Sequence, residues 1–161
     1  MKITRRLGLQ IAGAATLAIP IRAFAEGHAT VHEVQMLNKD PDTGERQVFY
    51  PAVLAIAVGD TVNFVPTDKG HNSTSTKNLI PDGAEAWRGK LNNEISVTFD
   101  TPGVYGYHCT PHQSTGMVGM ILVGDVTQEM LDAAGEVRQR GKAKARFAEY
   151  LETASEMIAG S

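Results

Sequence analysis

The sequence predicts a mainly β protein: an antiparallel sandwich or barrel over about residues 30–123, followed by two amphipathic helices. Three observations predict it. Short runs rich in Val, Ile, Phe and Tyr alternate with turn signals such as "DPDTGE", "VGDT", "DKGHN", "PDGAE" and "TPG". The apolar residues in those runs recur at every second position. After Val123 the period changes to that of a helix.

The elements follow in order. In "TVNFV", Val62 and Phe64 share one face. In "ISVTF", Ile95, Val97 and Phe99 do the same. "TPG" suits a tight turn with Pro102 in its second place and Gly103 at positive φ. "VYGYHC" and "MVGMILV" complete the strand set, the latter beginning at Met117. The first helix is expected in "TQEMLDAAGEVRQRG", with Thr127 as N-cap, Glu129 in the first turn and Gly141 as its stop. In "KAKARFAEYLETASEMIAG", Phe147, Tyr150, Leu151, Ala154 and Ile158 form one apolar stripe. That stripe is expected to pack on the sandwich.

The first 25 residues differ from the rest. Lys2, Arg5 and Arg6 precede the short apolar run "LGLQIAGAATLAIPI", and Ala23 and Ala25 offer small residues for cleavage. This is the pattern of a secretory signal peptide cut after Ala25. The run is too short and too rich in Gly and Ala for a stable membrane span. "TRRLGLQ" is similar to a twin-arginine export signal, but Gly8 stands where Phe or Leu is usual, which favours the general secretory route. The expected organisation is a signal peptide at 1–25, a β domain at 26–125 and a helical pair at 126–161.

The whole chain has 161 residues and a formal net charge of −3. Loss of residues 1–25 removes four bases and no acid, so the mature protein is more acidic still. An acidic surface argues against nucleic-acid binding. Export also implies an oxidising compartment. Cys109 is the sole cysteine, so it has no partner for an internal disulfide, and an exposed thiol would oxidise there. It is therefore buried, bridged to another chain, or ligated.

Its neighbourhood favours ligation. "CTPHQSTGM" places His112 three residues and Met117 eight residues after Cys109. Thiolate, imidazole and thioether together suit copper, which in blue-copper sites takes one Cys and two His in a plane with a weak axial Met. The second His must come from elsewhere. His28 lies beside the expected mature N-terminus, a poor anchor. His32 lies in the first strand. His108 adjoins Cys109, and strand alternation turns it to the opposite face from Tyr105, Tyr107 and Cys109. His71, in the turn "DKGHN", remains. Asn72 beside it can pin the geometry across loops, and Thr110 and Pro111 are further supporting candidates.

Two rival chemistries fit less well. Zinc would accept the thiolate and imidazoles, but a thioether is a poor zinc ligand. A Cys/His nucleophile pair has no evident orienting acid or oxyanion element near it and leaves Met117 idle. Four protein ligands also leave no open position for a substrate, so an enzyme is not expected.

On these residues the chain resembles the pseudoazurin family, bacterial blue-copper proteins of the cupredoxin class. "VHEVQMLNKD" resembles the family's first strand. "VFYPAVLAIAVGDTVNFVPTDKGHN" resembles the segment ending in its first His ligand, and "IPDGAE" the loop that follows. "YHCTPHQSTGMVGMILVGD" resembles its ligand loop and last strand. Plastocyanins share the Cys–His–Met spacing, but they end at the last strand, whereas the helical pair here resembles the pseudoazurin tail. The resemblance implies a Greek-key β-sandwich of about eight strands and a soluble, monomeric, periplasmic one-electron carrier. It implies nitrite reductase or another periplasmic redox enzyme as acceptor and a respiratory cytochrome as donor. A copper-delivery protein is the alternative. The chain departs from the family at His108, where Lys is common, and at Trp87 and Arg88, in a segment where lysines are common. A basic rim of Lys39, Lys69 and Lys77 is still expected around the metal end, with His112 as the port for electrons.

Overall fold

The computed structural model describes residues 29–160. The expected signal peptide and His28 therefore lie outside the described residues. Eight strands run in chain order: β1 Val31–Lys39, β2 Arg46–Tyr50, β3 Val53–Ile56, β4 Thr61–Val65, β5 Thr74–Ser75, β6 Ile95–Thr98, β7 Gly103–His108 and β8 Val118–Val123. Helices α1 (Gln128–Gly135) and α2 (Lys142–Ala159) follow. The strands make two four-stranded sheets, in the orders β2-β1-β4-β6 and β3-β8-β7-β5.

The sandwich is as expected, but its pairing is mixed rather than wholly antiparallel. β1 pairs with β4, and β3 with β8, in parallel. The chain leaves the first sheet after β2, runs β3 in the second, and re-enters the first beside β1. Turn signals between sequence neighbours do not report such a crossing.

Two cores result. The inner core lies between the sheets. Val62 and Phe64 enter it from β4, Val34 and Met36 from β1, and Tyr105 and Tyr107 from β7. Close approach is built into it: a Cβ on Gly119 would collide with the ring of Tyr107. The outer core lies under the helices. There Val104, Met120 and Leu122 meet Leu131 of α1 and Phe147 and Ala154 of α2. β8 is thus buried along its whole length. A strand covered on both faces reads as the continuous apolar run "VGMILV".

The α2 stripe packs as expected, with Phe147 and Ala154 buried and Tyr150, Leu151 and Ile158 partly buried. The Thr127 side chain caps α1 by accepting from the Met130 N–H. The expected stop at Gly141 is corrected: α1 ends at Gly135, and Gly141 instead sits at the N-terminus of α2 with φ 59°. Gly135 is a poor helix former, and Val137 beyond it turns in to the outer core. Gly141 is needed where it stands, because a Cβ there would lie 2.9 Å from the Ser114 carbonyl oxygen. No helix among the described residues is long and apolar enough to cross a membrane.

Candidate metal centre

Strand alternation sets the first donor. Tyr105 and Tyr107 point into the inner core, and Cys109, just past the end of β7, continues that face fully buried. The chain then winds through a 3-10 turn at Thr110–Thr115, which Pro111 helps to start, and Gly116 reverses it at φ 98°. Met117, also fully buried, stands immediately before β8, one residue outside the strand it was expected to begin. Backbone bonds close the loop: His112 N–H to Cys109 O at 3.1 Å, Met117 N–H to His112 O at 3.0 Å, and Cys109 N–H to Met117 O at 3.0 Å. These bonds fix Cys109, His112 and Met117 relative to one another.

The helical tail clamps the same loop. Arg146 of α2 donates to the Gly116 and Gln47 carbonyls, each at 2.9 Å, and to the Arg46 carbonyl at 3.1 Å. Glu45 balances its charge at 3.0 Å.

The second loop brings His71, between β4 and β5, into the same region. Asn92 holds the backbone on both sides of it, accepting from Gly70 N–H at 2.6 Å and donating its own N–H to His71 O at 2.8 Å. Asn72 ties this loop to the Cys109 loop, as expected from sequence. Its Oδ1 accepts from Thr110 N–H at 2.8 Å, and its Nδ2 donates to Thr110 Oγ1 at 3.1 Å and Gly89 O at 3.0 Å.

One partner was not foreseen. Asn38, near the end of β1, places its Oδ1 3.0 Å from His71 Nε2. An amide oxygen only accepts, so Nε2 carries the proton and Nδ1 keeps its lone pair. That Nδ1 faces the other donors. It lies 3.1 Å from His112 Nδ1 and 3.8 Å from Cys109 Sγ, and Cys109 Sγ lies 3.5 Å from His112 Nδ1. The centre of a triangle with those edges is about 2 Å from each corner, the length of a bond from imidazole or thiolate to a first-row metal. The donor set therefore fits a single ion with soft and borderline ligands, which is the preference of copper.

Protonation agrees. Burial, aided by the neighbouring His112, holds the His71 imidazole below its ordinary range, with Asp68 opposing. His71 is thus neutral, as a ligand must be. Burial pushes the Cys109 thiol up, partly offset by the backbone N–H groups of Asn72 and His112. A bound cation would displace that proton.

The other histidines stay away. His108 points to the opposite face and pairs with Thr76 Oγ1 at 2.9 Å. His32 pairs with Asp60 at 2.8 Å. Among the described residues, His71, Cys109 and His112 form the one His/Cys/Asp/Glu group able to hold an ion.

A β-sandwich with this thiolate–imidazole cluster at one end defines the class. The chain belongs to the copper-binding proteins of the plastocyanin/azurin family, whose family model matches residues 34–124. Within it the chain sits with the pseudoazurins. It is 45% identical over 139 residues to a pseudoazurin of Paracoccus pantotrophus, covering 86% of this chain and 91% of that one. It is 43% identical over 125 residues to the pseudoazurin of Methylorubrum extorquens, covering 78% and 82%. A solved Sinorhizobium pseudoazurin superposes with a TM-score of 0.74 at 44% identity, covering 82% of this chain and 99% of that one. Copper is the cofactor of this class, and the protein is an electron carrier of the cupredoxin type.

Proposed function

We propose that His71, Cys109 and His112 would hold one copper ion, with the Met117 thioether as a further, weaker ligand. The protein would then carry single electrons in the periplasm as a monomer, without catalysing a reaction of its own. The observation that carries this reading is the triangle of donor atoms with its centre at bonding distance from all three corners. Copper supplies the one-electron couple. The residues supply a cage that changes little between oxidation states: three backbone bonds within the ligand loop, the Asn72 bridge and the Arg146 clamp.

His112 is the electron port in this reading. Cys109, His71 and Met117 are buried, whereas His112 is partly exposed. Copper delivery is the weaker alternative, because release would require opening a buried, cross-tied loop. A signal peptide at 1–25 and export to the periplasm belong to the same proposal, as do a copper domain at 26–125 and a helical tail at 126–161.

For partners, we propose a respiratory cytochrome as donor and nitrite reductase or a similar periplasmic enzyme as acceptor. Lys39 ends β1 next to Asn38, Lys69 precedes the His71 loop and Lys77 follows β5; all three are exposed. In this reading they form a basic rim towards the metal end that would steer the protein to an acidic face. The test is the second-order rate of electron transfer to a copper nitrite reductase as ionic strength rises. The wild-type rate should fall as salt screens over roughly 8–10 Å. A Lys39/Lys69/Lys77→Ala variant should be slower and less salt-sensitive. Identical curves would remove the steering role.

A further inference from the structure

A second site lies behind the metal loop, on the opposite face of β7. There the linker between α1 and α2 folds back and opens a cleft of about 460 Å³ against the strands. Lys77 and His108 line one side, Arg138, Gln139 and Arg140 the other, and Ser114 of the metal loop also borders it. No carboxylate lines the cleft. In sequence the two arginines belong to the helical tail, and only the fold brings them to Lys77.

Three features suit the cleft to an anion. First, Lys77, Arg138 and Arg140 have no ion pair among the described residues, where the ion pairs are His32–Asp60 and Arg146–Glu45. Like charges gathered without a counter-ion repel one another, and a bound anion relieves that repulsion. Second, the Gln139 side-chain nitrogen is buried with no acceptor. A buried donor left unpaired costs about 1–3 kcal/mol, so such groups usually have a partner. Third, the linker runs into the N-terminus of α2, which has no side-chain cap and no acid in its first turn. Its positive end adds to the same field.

We propose that this cleft binds a doubly charged tetrahedral oxyanion, held by the Arg138 and Arg140 guanidinium groups and Lys77, with Gln139 Nε2 and the Ser114 hydroxyl as hydrogen-bond donors. Guanidinium forks match tetrahedral oxyanions, and a charge-assisted bond is about twice as strong as a neutral one. His108 contributes its ring edge to the wall, its Nδ1 being engaged by Thr76. The site does not depend on which residues ligate copper. The anion could be inorganic or the head of a phosphate monoester, because the cleft exceeds the size of phosphate alone.

The test is NMR of the copper(I)-loaded, diamagnetic protein, titrated with inorganic phosphate at ionic strength held constant with chloride. Glycerol phosphate is run in parallel. Saturable shifts should appear at residues 76–77, 113–114 and 138–140. An Arg138→Gln/Arg140→Gln variant, changed only at exposed side chains, should bind at least about tenfold more weakly. Lys77→Gln, on the other wall, should weaken binding about threefold. Tighter binding of the ester would identify a phosphate monoester as the ligand, and equal or weaker binding would identify the free anion. Shifts that chloride reproduces, or an affinity that the double arginine variant leaves unchanged, would overturn the site.

Discussion

The two faces of β7 and β8 are both covered, yet by different material and to different ends. The inner face is aromatic. Tyr107 packs edge-on against Phe49 at 4.7 Å and Phe64 at 5.0 Å, and Phe64 stacks on Trp87 at 5.8 Å. Cys109 continues this face at the end of β7. The outer face is largely aliphatic and is roofed by α1 and α2. One residue of register therefore separates Cys109, a corner of the candidate metal triangle, from His108, which lines the outer cleft. The roof is not independent of the metal end, because Arg146 reaches from α2 to Gly116, the neighbour of Met117.

The largest effect should come from exchanging one histidine for another across that register. His71→Ala removes a corner of the donor triangle and should abolish the native copper spectrum. His108→Ala touches only the outer face and should leave spectrum and stoichiometry intact. Equal damage from both would erase the distinction between the faces. The next effect separates stability from the site. Phe147 is buried in the outer core, and Phe147→Ala should lower unfolding stability by about 3–5 kcal/mol. Denaturant titration measures this, and the visible spectrum of the folded fraction should keep its shape. A smaller effect is expected at Asn38. Asn38→Ala frees the His71 tautomer and should weaken copper binding roughly 10–100-fold, with little change in the stability of the metal-free fold. A competition titration with a copper chelator reads the loss, and unchanged affinity would mean that the Asn38 bond does not orient His71.

What was legible in the sequence is what short-range rules govern. Cys109, His112 and Met117 lie on one loop, so their spacing alone suggests convergence. Alternation separated His108 from Cys109, and the Thr76 contact on the outer face agrees. The helical stripe of α2 needed only its period. The rest depends on distant contacts. Asn38 meets His71 across 33 residues, and Arg146 meets Gln47 across 99. Neither leaves a local mark, since an Asn late in a strand and an Arg on a helix are ordinary residues there. The parallel pairings of β1 with β4 and β3 with β8 were hidden for the same reason: they follow from a crossing between sheets, which turn residues do not encode.

The central claim is that Cys109 binds copper as a thiolate within a cage closed by two imidazoles. The most direct measurement is the absorption spectrum of the copper(II)-loaded protein beside a Cys109→Ala variant. The account predicts an intense visible charge-transfer band in the wild type and its complete loss in the variant. A wild type that binds copper without that band, or a Cys109→Ala protein that stays blue, would contradict it.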